Sequence, residues 1–200
     1  MLSFAAAVFL LIITPGPGVL SLAGVGAAFG FRAGFRYLLG LFIGTNLVAL
    51  AVVSGLGALL LASPVIRTVL FTLSTAYLFY LAFRIATAGS QVGFTPAARQ
   101  PGIRDGVFLQ AVNPKAYVVN TTLFSGFVIY PEAYGYEVAL KFVVVNLIWT
   151  SIHFLWLWVG SAIKRLNLNP KIQRIINIGM ALAMLGVVVL ATLSSLSNGA

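Results

Sequence analysis

Long apolar runs separated by short polar clusters organise this chain. One membrane crossing needs about 20 predominantly apolar residues. On that scale the uncharged runs predict six transmembrane helices. They cover Leu2 to about Leu22, Tyr37 to Ala62, Thr68 to Ala88, Gly106 to Tyr130, Val138 to Ile163 and Ile175 to Leu196. Between them, small residues lead to Arg32 and Arg36, and Ser63, Pro64 and Arg67 predict a tight turn. Pro131 to Glu137 predicts a short acidic turn, and Lys164 to Arg174 a basic loop holding Asn169-Pro170. The longest polar segment, about Gly89 to Asp105, carries Gly93, Pro96, Pro101 and Gly102 and reads as a flexible loop.

Composition supports the same picture. The 200 residues are 60% hydrophobic and only 8% charged, where a soluble domain carries about 25% charged residues. Lipid is the solvent that suits the remainder. The net charge of +9 does not point to nucleic acid, because the basic residues form no patch or stripe. They stand singly or in pairs between apolar runs, as topological anchors do. Arg32, Arg36, Arg84, Arg99, Arg104, Lys164, Arg165, Lys171 and Arg174 border the odd-numbered loops; only Arg67 and Lys141 border the even ones. This asymmetry predicts odd loops in the cytoplasm and both termini outside, in a multi-pass protein of the inner (plasma) membrane. The chain has no Cys, which excludes disulfides and thiolate metal sites. No basic segment precedes the first apolar run, so that run is expected to remain in the mature protein.

Two places inside the apolar runs cannot be regular helix. Thr14-Pro15-Gly16-Pro17-Gly18 interrupts the first span, and Asn113-Pro114-Lys115 the fourth. Proline removes a backbone donor and clashes with the carbonyl four residues back. In lipid the freed backbone groups cost several kcal/mol each, so such breaks belong where protein buries them or water reaches them. A broken helix also creates a new N-terminus, whose dipole favours an anionic group. Asn46 and Asn146, in the second and fifth spans, are a hundred positions apart, and Pro15 and Pro114 one fewer. The expected fold is therefore an all-α membrane protein of one transport domain, residues 1–200, with broken helices 1 and 4. Residues 1–89 form a first three-helix repeat, 90–105 a cytoplasmic loop and 106–200 a second repeat, inverted because three is odd. Interrupted helices in matching positions of inverted repeats mark the binding sites of secondary transporters. The plainer alternative is a pair of proline kinks.

At these residues the chain resembles the lysine exporter (LysE/RhtB) family of membrane proteins. The likeness rests on Ile13-Thr14-Pro15-Gly16-Pro17 and on Asn113-Pro114-Lys115-Ala116. Gly30-Phe31-Arg32-Ala33-Gly34, Gly40, Gly44 and the Gly179-containing last helix after Arg174 support it. It extends over nearly the whole chain, including its length and span count. The resemblance implies export of an amino acid or close derivative from the cytoplasm, driven by the proton gradient as an antiporter, with no cofactor. It departs from the family pattern at Gly18, where an acidic or amide residue often follows Pro-Gly-Pro, and at Asn46, where a His often follows the glycines. Both departures remove titratable groups.

The substrate-binding candidates are Thr14, Pro15, Gly16, Pro17, Gly18, Asn46, Asn113, Pro114, Lys115 and Asn146. Lys115 is the strongest, because an ionisable residue within a span is a functional candidate by default; it would bind a substrate carboxylate, or else snorkel to the interface. His153, among Trp149, Phe154, Trp156 and Trp158, is a proton-relay candidate or a packing histidine. Asn46, Asn120 and Asn146 can bond across helices or hold a polar ligand. Asp105 is expected to cap the fourth helix. Gly26, Gly30 and Gly34, and likewise Gly40 and Gly44, recur at every fourth residue and allow close helix approach, within the chain or in a homodimer. One His and three acidic residues supply no catalytic triad or metal cluster, and no P-loop lysine is present, so the reading is a carrier and not an enzyme. A passive channel or a structural membrane subunit is the alternative use of the same helices.

Overall fold

A computed structural model describes residues 1–14, 16–88, 99–166 and 168–197. Pro15 and most of the predicted 90–105 loop lie outside the described residues. The described residues contain nine helices and no strand: α1 (Leu2–Ile13), α2 (Pro17–Phe29), α3 (Phe31–Val53), α4 (Leu56–Ala62), α5 (Pro64–Ala86), α6 (Ile103–Val112), α7 (Pro114–Ser125), α8 (Tyr134–Arg165) and α9 (Pro170–Ser197).

Proline punctuates this order. Pro17, Pro64, Pro114 and Pro170 each open a helix, the position where a missing N–H and a fixed φ do no harm. The residue before each proline is pushed from helical geometry: Gly16, Ser63 and Asn113 are all extended. Side chains then satisfy the exposed amides of the first turn. Ser63 Oγ accepts from Ile66 N, Asn113 Oδ1 from Lys115 N at 3.1 Å, and Asn169 Oδ1 from Lys171 N at 2.9 Å. As expected, Asp105 caps α6, its Oδ2 accepting from Gly102 N at 2.8 Å.

Several predicted boundaries are corrected. The second span does not run unbroken to Ala62. α3 stops at Val53, and Gly55 takes the left-handed region (φ 83°) that ends helices. The polar residues after the first span form no loop: Gly30 alone, at φ 86°, joins α2 to α3, and Arg32 and Arg36 lie within the start of α3. Pro64 and Arg67 belong to α5 and not to a turn, and the helix after the acidic segment begins at Tyr134 and not at Val138, so Glu137 lies inside α8. α9 likewise begins at Pro170 and takes in Lys171 and Arg174.

Packing places small and polar groups inside together with large apolar ones such as Phe4, Leu41 and Leu157, and leaves other large apolar side chains outside. α2 is the central helix, buried at Gly18, Val19 and every residue from Ser21 to Ala28, and α3, α5, α8 and α9 pack around it. On α3, by contrast, Leu39, Ile43, Leu47 and Leu50 are 38% to 54% exposed and share one face. An apolar stripe turned outward in this way suits lipid and not water. α3, α5 and α8 are each long and apolar enough to cross a membrane, and α1 with α2, bent by 53° at their junction, counts as a fourth only where the pair is taken as one broken span. α3 packs along both α6 and α7, and α8 along both α1 and α2.

The glycine stripes are used within the chain. A Cβ on Gly106 would overlap the Tyr37 carbonyl and stand 2.6 Å from Leu41 N, while one on Gly40 would overlap the Ile103 carbonyl. α3 and α6 therefore touch backbone to backbone. Gly106→Ala is expected to destabilise the protein by about 1–3 kcal/mol, the usual cost of overpacking. Gly179→Ala, with nothing within 4 Å, should be neutral or slightly stabilising. Melting temperatures of the two variants in one detergent check this.

Candidate transport site

The two helix breaks meet. From the first turn of α7, Lys115 reaches across to the α1–α2 junction, where its Nζ donates to the Thr14 carbonyl at 2.7 Å. Its side chain lies over Gly16, where a Cβ would stand 2.9 Å from Lys115 Cδ and 3.0 Å from Nζ. Glycine is needed there because the lysine occupies the space. The carbonyl that Lys115 holds is one that α1 leaves unpaired at its C-terminal end, so each broken helix completes the other.

A cavity of about 60 Å³ opens at this meeting point. Thr14, Gly16, Pro17, Gly18, Asn113, Lys115 and His153 all line it, so one place gathers these residues from across the sequence. Pro114 opens α7 beside it without lining it. Asn46 and Asn146 do not line the cavity; they pair with each other between α3 and α8, each amide donating to the other at 2.9 Å. Gln110, Thr45, Asn120 and Trp149 complete its polar and aromatic walls. Of these, Gln110 and Thr45 went unremarked in the sequence. Gln110 carried a signal, since a buried amide four residues ahead of Pro114 in an apolar run is unusual.

His153 is held in one orientation. Its ring stacks on Trp149, with centroids 3.6 Å apart, and Nδ1 lies 2.8 Å from the Trp149 carbonyl. A carbonyl only accepts, so Nδ1 carries the proton, and in the neutral ring Nε2 is left as an acceptor. Nε2 and Gln110 Nε2 each stand 3.7 Å from where a Gly18 Cβ would be. Gln110 Oε1 accepts from Asn113 Nδ2 at 3.3 Å, tying the end of α6 to the break. On the other side, Tyr37 donates to Ser21 Oγ, and Ser21 donates to the Gly18 carbonyl, both at 3.0 Å. Tyr37 and Ser21, outside the cavity, thus hold its Gly18 wall, while Trp149, Gln110 and Asn113 brace one another and His153 within the lining. Asn120 donates to the Ala116 carbonyl of its own helix at 2.8 Å. Among the described residues no three His, Asp or Glu side chains gather as metal ligands.

A second buried polar cluster lies at the opposite end of α7. Lys141 and Glu137, one helical turn apart on α8, form an ion pair of 2.7 Å, with both side chains under 10% exposed. Lys141 Nζ also donates to the Phe124 and Phe127 carbonyls, and Glu137 Oε2 accepts from Ile129 N and Tyr130 N. Sequence reasoning treated both residues as loop flanks. Their i, i+4 spacing was the available signal.

These features define a helical membrane protein with an internal polar site at paired helix breaks. The chain belongs to the LysE type translocator family, which it matches over residues 9–195. It is therefore a membrane transport protein and not an enzyme. It is 26% identical to a leucine efflux protein of Klebsiella pneumoniae over 94% of this chain and 92% of that protein. It is 29% identical to a cysteine/O-acetylserine efflux protein of Salmonella choleraesuis, over 76% and 78%. An uncharacterised membrane protein of Pseudomonas aeruginosa is 30% identical over 75% and 72%. No solved structure matches the chain.

Proposed function

We propose that this protein is a secondary transporter that exports an amino acid or a closely related small metabolite from the cytoplasm, coupled to the proton gradient. The observation that carries the reading is the Lys115–Thr14 contact, which joins two broken helices from opposite halves of the chain around a cavity. Two half-helix N-termini, α2 and α7, begin at that cavity and favour a substrate carboxylate. The efflux functions of the relatives in Klebsiella and Salmonella agree with this.

The architecture we propose is six transmembrane helices in two inverted repeats, 1–89 and 106–200. The reciprocal Asn46–Asn146 amide pair supports it. So does the packing, since the second helix of each half lies along both pieces of the other half's broken helix. Alternating access would then be rocking of one half against the other about this centre. His153 is the proton-relay candidate, facing the cavity with Lys115 as the other ionisable group in its lining.

Cells making the protein are expected to release an amino acid into the medium against its gradient, and an uncoupler should abolish the release. Uncoupler-insensitive equalisation would indicate a channel. Identical internal and external amino-acid levels with and without the protein would overturn the proposal.

The proposed orientation puts both termini outside, in the inner membrane. The chain has no Cys, so single cysteines report it cleanly. A Gly135→Cys variant should react with an impermeant maleimide in intact cells, and a Lys171→Cys variant only after lysis; the opposite pattern would invert the topology.

A further inference from the structure

The cavity has cationic and neutral groups but no acid. Lys115 and His153 line it together with the amides of Gln110, Asn113 and Asn120. The chain has three acidic residues, and all three are elsewhere. Asp105 caps α6 and accepts from Tyr77, Glu137 pairs with Lys141, and Glu132 sits in the exposed turn before α8. We infer that the site selects amino acids with uncharged side chains, and that the uncharged pair Gly18 and Gln110 sets this selectivity. This inference rests on the reading of the cavity as a transport site.

α2 and α7 begin at the cavity and carry partial positive charge, supplemented by Lys115, which suits a substrate carboxylate. The rest of the wall, including Leu11, Val19, Val119, Leu123 and Val145, is aliphatic. A side chain facing that wall must be uncharged, since an unpaired buried charge costs far more than it gains. A cationic side chain would meet Lys115 and no counter-charge. An anionic one would compete with the substrate's own carboxylate for a single lysine.

Gly18 and Gln110 are where an acid could enter. The space beside Gly18 is open to ordinary contact distance, so Gly18→Asp would place a carboxylate at the cavity between Gln110 and His153. Gln110→Glu adds the same charge without changing shape and keeps an acceptor for Asn113.

Counterflow in proteoliposomes tests this, using labelled alanine, leucine, lysine and glutamate with the purified full chain. The wild type should exchange alanine or leucine and exclude lysine and glutamate. Gln110→Glu should raise the lysine-over-leucine ratio by about tenfold or more, the scale on which one opposite charge discriminates, and Gly18→Asp should act in the same direction. Lysine or glutamate exchange by the wild type at the leucine rate would overturn the selectivity while leaving the transport reading intact. Exchange of none of the four by a monodisperse wild type would overturn the transport reading itself. An unchanged ratio in whichever of the two variants remains monodisperse would overturn the role of Gly18 and Gln110.

Discussion

Lys115→Met is expected to raise the half-saturating substrate concentration about tenfold to a hundredfold, with expression and melting temperature nearly unchanged. The magnitude follows from the charge-assisted hydrogen bond that the lysine would give a carboxylate, worth about 1.5–3 kcal/mol. The modest effect on stability follows from its position. Lys115 is half-buried at the cavity wall, and methionine can cover Gly16 with a similar unbranched chain. What is lost in the empty protein is one bond to the Thr14 carbonyl. Lys115→Arg keeps the charge but lengthens and flattens the head group, so it should retain part of the affinity. Saturation curves for the three proteins in vesicles make the comparison. Equal half-saturation in wild type and Lys115→Met would show that the lysine only fastens the two breaks together.

Glu137→Leu should be the most damaging substitution to the fold, and Lys141→Met should partly repair it. Glu137 supplies the counter-charge to an ammonium that is only 1% exposed, and its other oxygen ties down two backbone amides after α7. Removing the acid leaves a buried cation facing two carbonyls. Losing one partner of a buried pair costs much more than losing both, because the stranded charge has no water to return to. The double variant forfeits the backbone hydrogen bonds but no longer buries a charge. Size-exclusion profiles and melting temperatures in detergent should therefore rank wild type above the double variant, and the double variant above Glu137→Leu. Equal behaviour of the single and double variants would show that the carboxylate matters only to the amides.

The parts of the site legible in the sequence were those imposed by covalent chemistry. Proline cannot continue a helix inward, so the positions of both breaks followed from Pro15-Gly16-Pro17 and Asn113-Pro114-Lys115. Asp105 as a cap followed from an acid at the start of an apolar run. The outward stripe of α3 was implicit in a sequence with so few charges. Other features depended on where separate helices cross. Lys115 had two readings, toward a ligand or toward the interface, and spacing along one helix cannot choose between them. In the structure the ammonium lies against the Thr14 carbonyl at the α1–α2 junction, a contact between separate helices that spacing along one of them does not encode. Gln110 and Thr45 were not singled out because a polar side chain in an apolar run gives no direction on its own.

Glu137 and Lys141 show the same division. Their helical spacing was visible, yet they read as flanks of an exposed turn, because whether a charge is buried depends on what folds over it. The chain beyond α7 turns back so that its amides and carbonyls surround the pair, and that is a tertiary event. By itself, then, the sequence determined the solvent this protein inhabits, through its scarcity of charge, and the points where its helices must break, through proline's missing donor. The tertiary structure decided which broken end meets which, through a contact between segments a hundred residues apart, and which charges lie inside, through the fold of the chain after α7 back over α8.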